Sequence, residues 1–249
     1  MRSARAPIGG LLRSEALKAA TTPTTYGLLA AILVVTALNT ALSLSEPHAN
    51  LAVADTVRHA LDAGRDFTVL FVALGAVGAA GEFRHGTAIP TFLATPVRHR
   101  VVWAKIATYL AMGLVVAAAA AAVQLAIALP WAEAEGHAVA LWSSGVAGPV
   151  TANLLAGASY AALGVGIGLL VRNQLVALVV ALGWFTIVES TLAILLPGVS
   201  RFLPGGAFSG VDTTELDLLP LHAAAPLIAA WVVVISTLAL RTTLRRDIA

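Results

Sequence analysis

Six long apolar segments dominate the sequence and restrict the chain to one broad class of fold. They lie approximately at residues 26–44, 67–81, 101–129, 149–171, 175–196 and 221–240. About 20 helical residues cross a hydrocarbon core ~30 Å thick, and these runs lack the polar alternation of a membrane strand. The pattern predicts an all-α polytopic membrane protein with six transmembrane helices, in a single domain over residues 1–249.

The second segment is the short one, at about fifteen residues, and we expect its helix to begin earlier, near Leu61, with Arg65 reaching towards the interface. Composition agrees with a membrane protein, because 59% of the residues are hydrophobic and only 11% are charged. Soluble domains carry about 25% charged residues. The polar stretches between segments are too short for a nucleotide-binding module.

The basic residues predict the orientation of the spans. If the N-terminus is inside, twelve of the fifteen Lys and Arg residues fall in inside loops, and three (Arg58, Arg65 and Arg201) fall outside. Most acidic residues show the opposite preference. The positive-inside rule therefore places both termini in the cytoplasm and predicts a multi-pass protein of the cell membrane.

Two segments outside the spans have a pattern of their own. Residues 8–25 place Ile8, Leu11 and Leu12 on one helical face, which predicts an interfacial helix that ends at the Pro23 break, with a frayed basic tail as the alternative. Residues 197–220 contain several Pro and Gly residues beside Phe202 and Phe208. This segment is either an extracellular loop or a re-entrant segment between the fifth and sixth spans.

The loop after the second span predicts a short cytoplasmic helix of one to two turns between Gly86 and Pro96. Gly86 can turn the chain, Thr87 suits an N-cap, and Pro96 ends the helix. The residues of one apolar face are Ile89, Phe92 and Leu93, and the basic residues Arg98 and Arg100 follow. Such a helix could fill a groove on a soluble partner, or Phe92 could dip into lipid.

Three stretches resemble the membrane subunit of a type 2 ABC exporter, the ABC-2 permease family. They are residues 12–18 (LRSEALK), 82–87 (EFRHGT) and 93–100 (LATPVRHR), in a six-span layout with the N-terminus inside. One departure is that His99 separates Arg98 from Arg100, where the family carries two adjacent arginines.

The resemblance implies a permease subunit of an exporter, in which residues 84–95 are the coupling helix that docks a separate cytoplasmic ABC ATPase. It also implies a second permease subunit, either an identical copy or a related chain. The residues that it assigns to ATPase coupling are Glu82, Arg84, Gly86, Thr87, Ile89, Phe92, Leu93, Arg98 and Arg100. The alternatives are a secondary transporter or channel without an ATPase, and a membrane scaffold or immunity protein.

The chain shows no chemistry of its own. It has no cysteine, and neither Lys18 nor Lys105 lies in a Walker A loop, so we expect no enzyme activity and no bound cofactor, with ATP bound by the partner subunit. The pI is basic, at 9.4. We attribute it to basic residues that flank the spans in a lipid membrane, and we expect no nucleic-acid partner. The scarcity of lysine beside arginine indicates GC-rich coding and carries no chemical meaning at this point.

Polar residues within the spans are the remaining candidates. Glu189, in the fifth span, is a candidate transport-pathway residue, because a charge at the bilayer centre costs at least ~2.5–3.5 kcal/mol. The alternative is a structural role in which Glu189 bonds a neighbour such as Asn39 or Gln124. Asn153 and Tyr160 are expected to join helices, and the small residues of the second and fourth spans are typical of close helix packing.

Overall fold

The structure is a computed structural model that describes residues 8–46, 52–62, 68–84, 86, 98–137, 139–209 and 221–245. Every regular element in these ranges is a helix. We number them α1 (Ile8–Thr21), α2 (Pro23–Ser45), α3 (Val53–Asp62), α4 (Thr68–Arg84), α5 (Arg98–Ala134), α6 (Ser144–Val171), α7 (Gln174–Leu195), α8 (Pro197–Ser200), α9 (Pro204–Ser209) and α10 (Leu221–Arg245). Helix α7 contains a π-helical turn at Trp184–Val188.

Five helices in the described ranges are long and apolar enough to cross a membrane, namely α2, α5, α6, α7 and α10. The all-α, multi-pass character predicted from the sequence is therefore confirmed. Helix α4 matches the remaining predicted span, but its 17 residues extend only ~25 Å. A sixth span stays a prediction. The expected earlier start near Leu61 is not seen as one helix, since α3 ends at Asp62 and residues 63–67 lie outside the described residues.

Helix α4 is short but lies at the centre of the bundle, and its most extensive packing is against α6. Glycines allow this close approach. A Cβ atom at Gly75 would overlap the carbonyl of Ala161, and one at Gly164 would overlap the carbonyl of Val72. The small residues that were predicted to pack helices closely do so within one chain, and they bring the α4 and α6 backbones together.

Helix α5 is 37 residues long and extends ~55 Å, so its two ends define two ends of the bundle. Three elements lie towards the Arg98 end, namely helix α1, the last turn of α4 and the first turn of α7. Helix α3 packs at the Ala134 end, against α2, α5 and α6. Its terminal carbonyls are bonded by side chains, because the amides of Gln124 and Asn153 both donate to the carbonyl of Leu61. Asn153 therefore joins helices, as predicted.

The chain turns back on itself after α7 and places the short helix α9 beside α6 and α10. The indole N–H of Trp231 donates to the carbonyl of Phe202 at 3.0 Å. The hydroxyl of Tyr160 donates to the carbonyl of Pro204 at 2.5 Å, so Tyr160 also joins helices, as predicted. Tyr160 lies ~24 Å along α6 from Ser144. Helix α9 therefore begins beside the middle of α6 and not beyond its end.

Candidate functional site

The structure describes only part of the predicted coupling segment. Thr87, Ile89, Phe92 and Leu93 lie outside the described residues, and of Arg98 only the backbone is described. The residues that can be located are Glu82, Arg84, Gly86 and Arg100. Gly86 has φ of +68°, a left-handed conformation that favours glycine, and this agrees with its expected role in a turn.

A buried cluster of four charged side chains lies where α1, α4 and α5 meet. Lys18 Nζ contacts Glu15 Oε1 at 2.7 Å and Glu82 Oε1 at 2.8 Å. Lys105 Nζ lies 3.0 Å from the same oxygen of Glu82 and also pairs with Glu15 Oε2. Each ammonium therefore contacts both carboxylates, and the four charges sum to zero. We call Glu15, Lys18, Glu82 and Lys105 the charge cluster.

Burial makes the charge cluster sensitive to any imbalance. The side chains of Glu15 and Lys105 are only 2% and 3% exposed, while Lys18 reaches the surface. Burial acts to raise the pKa of Glu15, but Lys105 and Lys18 together outweigh it and hold that pKa below its ordinary value of 4.5. Glu15 therefore stays ionised in the folded protein at neutral pH.

The sequence of α1 explains how Glu15 reaches the interior. Leu11, Glu15 and Ala19 repeat every four residues and form the buried face of this helix. The break at Thr22, before Pro23 starts α2, ends α1 there. A glutamate thus occupies a core position on an otherwise apolar stripe, which is tolerated because Lys105 meets it from α5.

A cavity of about 320 Å³ adjoins the charge cluster. Its wall includes the four charged residues, the threonines of the α1–α2 break, and Tyr109 of α5. Tyr109 follows Lys105 by one helical turn and lies against Gly78 of α4, where a Cβ atom would collide with its hydroxyl. The charge cluster is therefore bordered by a cavity on one side and by tight helix packing on the other.

Sequence reasoning located Glu82 but missed the other three members of the charge cluster. A signal was present, because the chain has fifteen basic residues and its only two lysines are Lys18 and Lys105. Both lie in the cluster. The scarcity of lysine was interpreted as a coding effect, so these two positions were not considered as candidates. An ammonium is a compact charge that can bridge two carboxylates at one point.

Glu189 forms a second polar site, towards the other end of the bundle. It follows the π-helical turn of α7 and is 7% exposed. Its Oε1 accepts the indole N–H of Trp184 at 2.8 Å, and the carboxylate also accepts the backbone N–H groups of Gly205 and Gly206 in α9. Gly205 has to be glycine, because a Cβ atom there would collide with Glu189 Oε2.

Of the two partners expected for Glu189 from the sequence, Gln124 is engaged elsewhere. Gln124 bonds the carbonyls of Ala60 and Leu61 and the side chain of Asn153 instead. The actual partners could not be read from periodicity, since they depend on a turn that folds α9 back towards α7. The carboxylate holds α9 through hydrogen bonds from the backbone N–H groups of Gly205 and Gly206, and the indole of Trp184 in α7 donates to the same carboxylate.

Arg84 lies close to the turn between α6 and α7. Its guanidinium donates to Gln174 Oε1 at 3.3 Å. On the same side, Arg172 lies over the ring of Phe83, 5.5 Å from its centroid, and donates to the carbonyl of Thr242 at 3.3 Å. The last turn of α4 is thereby connected to α6, α7 and α10.

Comparison with protein-family models and with curated proteins finds no match to this chain. The functional argument therefore depends on the residues themselves and on the family resemblance of the three short stretches.

The charge cluster predicts a specific pattern of stability changes. Glu15→Gln or Lys105→Met alone leaves one buried charge unbalanced and should lower the free energy of unfolding by about 3–5 kcal/mol. The double variant removes one charge of each sign and should recover part of this loss, because the Lys18–Glu82 pair remains. Thermal unfolding in detergent measures the three variants.

Glu133→Gln, an exposed carboxylate near the Ala134 end of α5, is the matched control and should be nearly neutral. The contribution of Glu15 should be complete above pH 4.5 and decline as the pH falls towards its lowered folded-state pKa. Single variants as stable as Glu133→Gln would contradict the coupling of these charges.

The hydrogen bonds of Glu189 predict that α9 becomes less ordered when the carboxylate is removed. Glu189→Ala removes the acceptor for two backbone N–H groups, and hydrogen bonds to charged groups contribute about 1.5–3 kcal/mol each. Amide exchange at Gly205 and Gly206 should accelerate at least about ten-fold. Glu189→Gln keeps the shape and one oxygen, so it should fold and show a smaller acceleration.

Thr186→Ala is the control, because its hydroxyl bonds only the carbonyl of Leu182 in its own helix among the contacts described. If amide exchange at Gly205 and Gly206 is the same in Glu189→Ala and Thr186→Ala, Glu189 does not hold α9 in place. In a transport assay, Glu189→Gln with unaltered activity across pH would leave Glu189 a structural role only.

Proposed function

We propose that this chain is the permease subunit of an ABC exporter of the ABC-2 type, in the cell membrane, with both termini cytoplasmic. The observation that supports this best is the charge cluster, because it joins α1 to the two helices on either side of the predicted coupling segment. Glu82 lies in the last turn of α4, and Lys105 lies two turns into α5. The family resemblance falls on the same three stretches of sequence.

The proposed mechanism follows from that arrangement. An ATPase that closes on ATP moves the coupling segment at residues 84–95. The movement reaches α4 and α5 directly, and it reaches α1 through Glu15 and Lys18. Separating buried charges costs several kcal/mol, so the three helix ends move together. ATP is bound and hydrolysed by the partner subunit.

The exporter proposal includes a second permease subunit, identical or related, which faces this chain within the membrane. Helix α7 turns a broad apolar surface outward, with Leu175, Val179, Ile187 and Ile194 all more than half exposed. Lipid alone could cover this surface, so the second subunit depends on the family resemblance. The substrate pathway would then be formed between the two subunits.

The geometry of α8 and α9 favours the re-entrant alternative for the segment at residues 197–220. The Pro204 carbonyl is bonded at mid-length of α6, and Phe202 is bonded to Trp231 about 15 Å into α10. In this proposal Glu189 affects transport by holding α9 in place. The other residues of the segment, 210–220, lie outside the described residues.

A secondary transporter is the second candidate, and the π-helical turn of α7 beside Glu189 is the observation in its favour. Transporters of that kind place broken helices and charged residues near the membrane midplane. Helix α7 nevertheless continues through Trp184–Val188 without a break in helicity. Pro130, Pro149 and Pro226 all lie within about two turns of a helix end. The exporter therefore remains the better account.

The exporter proposal predicts that Phe92 contributes to ATPase binding. Burying its ring in a partner groove would contribute about 1.5–3 kcal/mol, so Phe92→Ala should weaken binding by about one to two decades. Membrane insertion should remain intact, since Phe92 lies outside every predicted span. Arg84→Glu should act in the same direction if the groove is acidic. Detergent pull-down of the ATPase, with its stimulation, measures the effect.

Trp142→Ala is the control, because this aromatic residue is 93% exposed and lies beyond the opposite end of α5. It should bind the ATPase like the wild type. A Phe92→Ala protein that binds and stimulates normally would refute the coupling assignment. A wild-type protein that never binds an ATPase would favour the secondary transporter.

The proposed orientation predicts opposite labelling at the two ends of α5. The chain has no native cysteine, so single cysteines can be introduced without further changes. His99→Cys and Glu135→Cys replace exposed residues at the start of α5 and just after its end. In intact cells an impermeant thiol reagent should label Glu135→Cys and spare His99→Cys.

Both variants should label after the membrane is permeabilised, which controls for the reactivity of the two thiols. Labelling of His99→Cys but not Glu135→Cys in intact cells would reverse the orientation and remove the coupling segment from the cytoplasm.

A further inference from the structure

A buried hydroxyl beside the charge cluster has no hydrogen-bond partner among the residues that the structure describes. It belongs to Tyr109, which is only 4% exposed. The other two tyrosines of the chain both donate to backbone carbonyls, Tyr26 to Ala20 and Tyr160 to Pro204. Because a buried hydroxyl usually finds a partner, the Tyr109 hydroxyl requires a specific explanation.

The Tyr109 hydroxyl lies where the side chain of Glu82 can reach it. It lies against α4 at Gly78, where a Cβ atom would collide with the phenolic oxygen. Gly78 precedes Glu82 by one helical turn, and the side chains of a helix lean towards its N-terminus. Glu82 therefore leans over the turn in which Gly78 leaves room for the hydroxyl. The hydroxyl is also within electrostatic range of Glu15, Glu82 and Lys18.

Lys18 is the member of the charge cluster that can most easily leave Glu82. Its side chain is 36% exposed, whereas the side chains of Glu15 and Lys105 are almost fully buried. A lysine ammonium is strongly hydrated and sits on a flexible stem, so it can exchange a carboxylate for water. The cavity of about 320 Å³ is lined by Lys18, Glu82 and Tyr109. These side chains therefore have space to change partners without repacking of the helices.

We propose that Tyr109 is a positioning residue for Glu82, and that its hydroxyl donates to the Glu82 carboxylate when Lys18 turns out of the charge cluster. In the structure Glu82 is held by Lys18 and Lys105. Without Lys18, the remaining ammonium has to balance both Glu82 and Glu15. A phenol O–H is a neutral donor, and its hydrogen bond to a carboxylate is stronger than one to a neutral acceptor. Glu82 thereby keeps two donors in either arrangement.

Water in the cavity is the other means of satisfying the Tyr109 hydroxyl. A roomy cavity with several polar groups in its wall can hold ordered water. Water would bond the hydroxyl whether or not Lys18 is present, so the contribution of Tyr109 to stability would not depend on Lys18. A direct bond to Glu82 makes that contribution larger when Lys18 is absent. This difference separates the two explanations.

The exchange of donors requires only the described charge cluster and its cavity, so it does not depend on the exporter proposal. In an exporter it would have a further consequence. Lys18 would be able to turn to the surface and contact a partner, while α1 stays attached to α5 through the Glu15–Lys105 pair.

A double-mutant cycle between Lys18 and Tyr109 tests the exchange, with the thermal midpoint of the full chain in detergent as the measurement. In the wild type the hydroxyl has no protein partner to lose, so Tyr109→Phe should change the midpoint by less than about 2 °C. In a Lys18→Met background the hydroxyl bonds a carboxylate, so Tyr109→Phe should lower the midpoint by at least about 4 °C. Tyr160→Phe is the matched control, because its bond to Pro204 is remote from Lys18, and its effect should be the same in both backgrounds.

Chemical rescue provides a second measurement. The chain has no native cysteine, so aminoethylation of Lys18→Cys restores a single ammonium at this position. The larger effect of Tyr109→Phe should be present before this reaction and absent after it. If Lys18→Met does not fold, Lys18→Gln takes its place in the cycle, and the same order of effects is expected.

Two results would overturn the proposal. An effect of Tyr109→Phe that is the same with and without Lys18 would assign the hydroxyl to water in the cavity. A larger effect in the wild type than in the Lys18 variants would mean that the hydroxyl supports the cluster only while Lys18 is in place.

Discussion

Two opposite pairs of charge, buried where α1, α4 and α5 meet, determine how this end of the molecule is assembled. Glu15 and Lys105 are almost fully buried, and each stays charged there because opposite charges contact it. The pairing requires α1 to lie against the bundle, and it fixes the distance between the ends of α4 and α5. The chain between those ends is the segment that the sequence predicts to contact a partner. A constraint on packing is therefore also a constraint on how that segment can move.

The two polar sites of the molecule use different means to stabilise a buried carboxylate. Glu15 and Glu82 are balanced by whole charges, whereas Glu189 is stabilised by backbone dipoles of α9 and the indole of Trp184. Breaking the first arrangement leaves unbalanced charge, and breaking the second leaves a buried carboxylate without its hydrogen-bond donors. Between them lies the glycine-rich contact of α4 with α6, which leaves little room for adjustment.

Much of the fold could be predicted because the length of an apolar segment is a strong signal for a membrane-spanning helix. The five long spans follow from it, and Asn153 and Tyr160 join helices as expected. The packing of α3 could not be predicted, because the side chains that bond its last carbonyl groups are distant in sequence. The partners of Glu189 were missed for a similar reason, since a short helix after a turn supplies them. The charge cluster was missed because Glu15 and Lys105 are ninety positions apart.

The lysines and arginines of the described residues make different kinds of contact. Thirteen of the fifteen basic residues are arginine, and Arg84 and Arg172 each donate a hydrogen bond to a carbonyl oxygen. In the charge cluster the cation is a lysine ammonium instead of a guanidinium. Lys105 Nζ is 3.0 Å from Glu82 and also pairs with Glu15. An ammonium approaches two carboxylates as a single compact charge, whereas a guanidinium spreads its charge over a plane. Arginine at position 105 would therefore change how Glu15 and Glu82 are held together where α1, α4 and α5 meet.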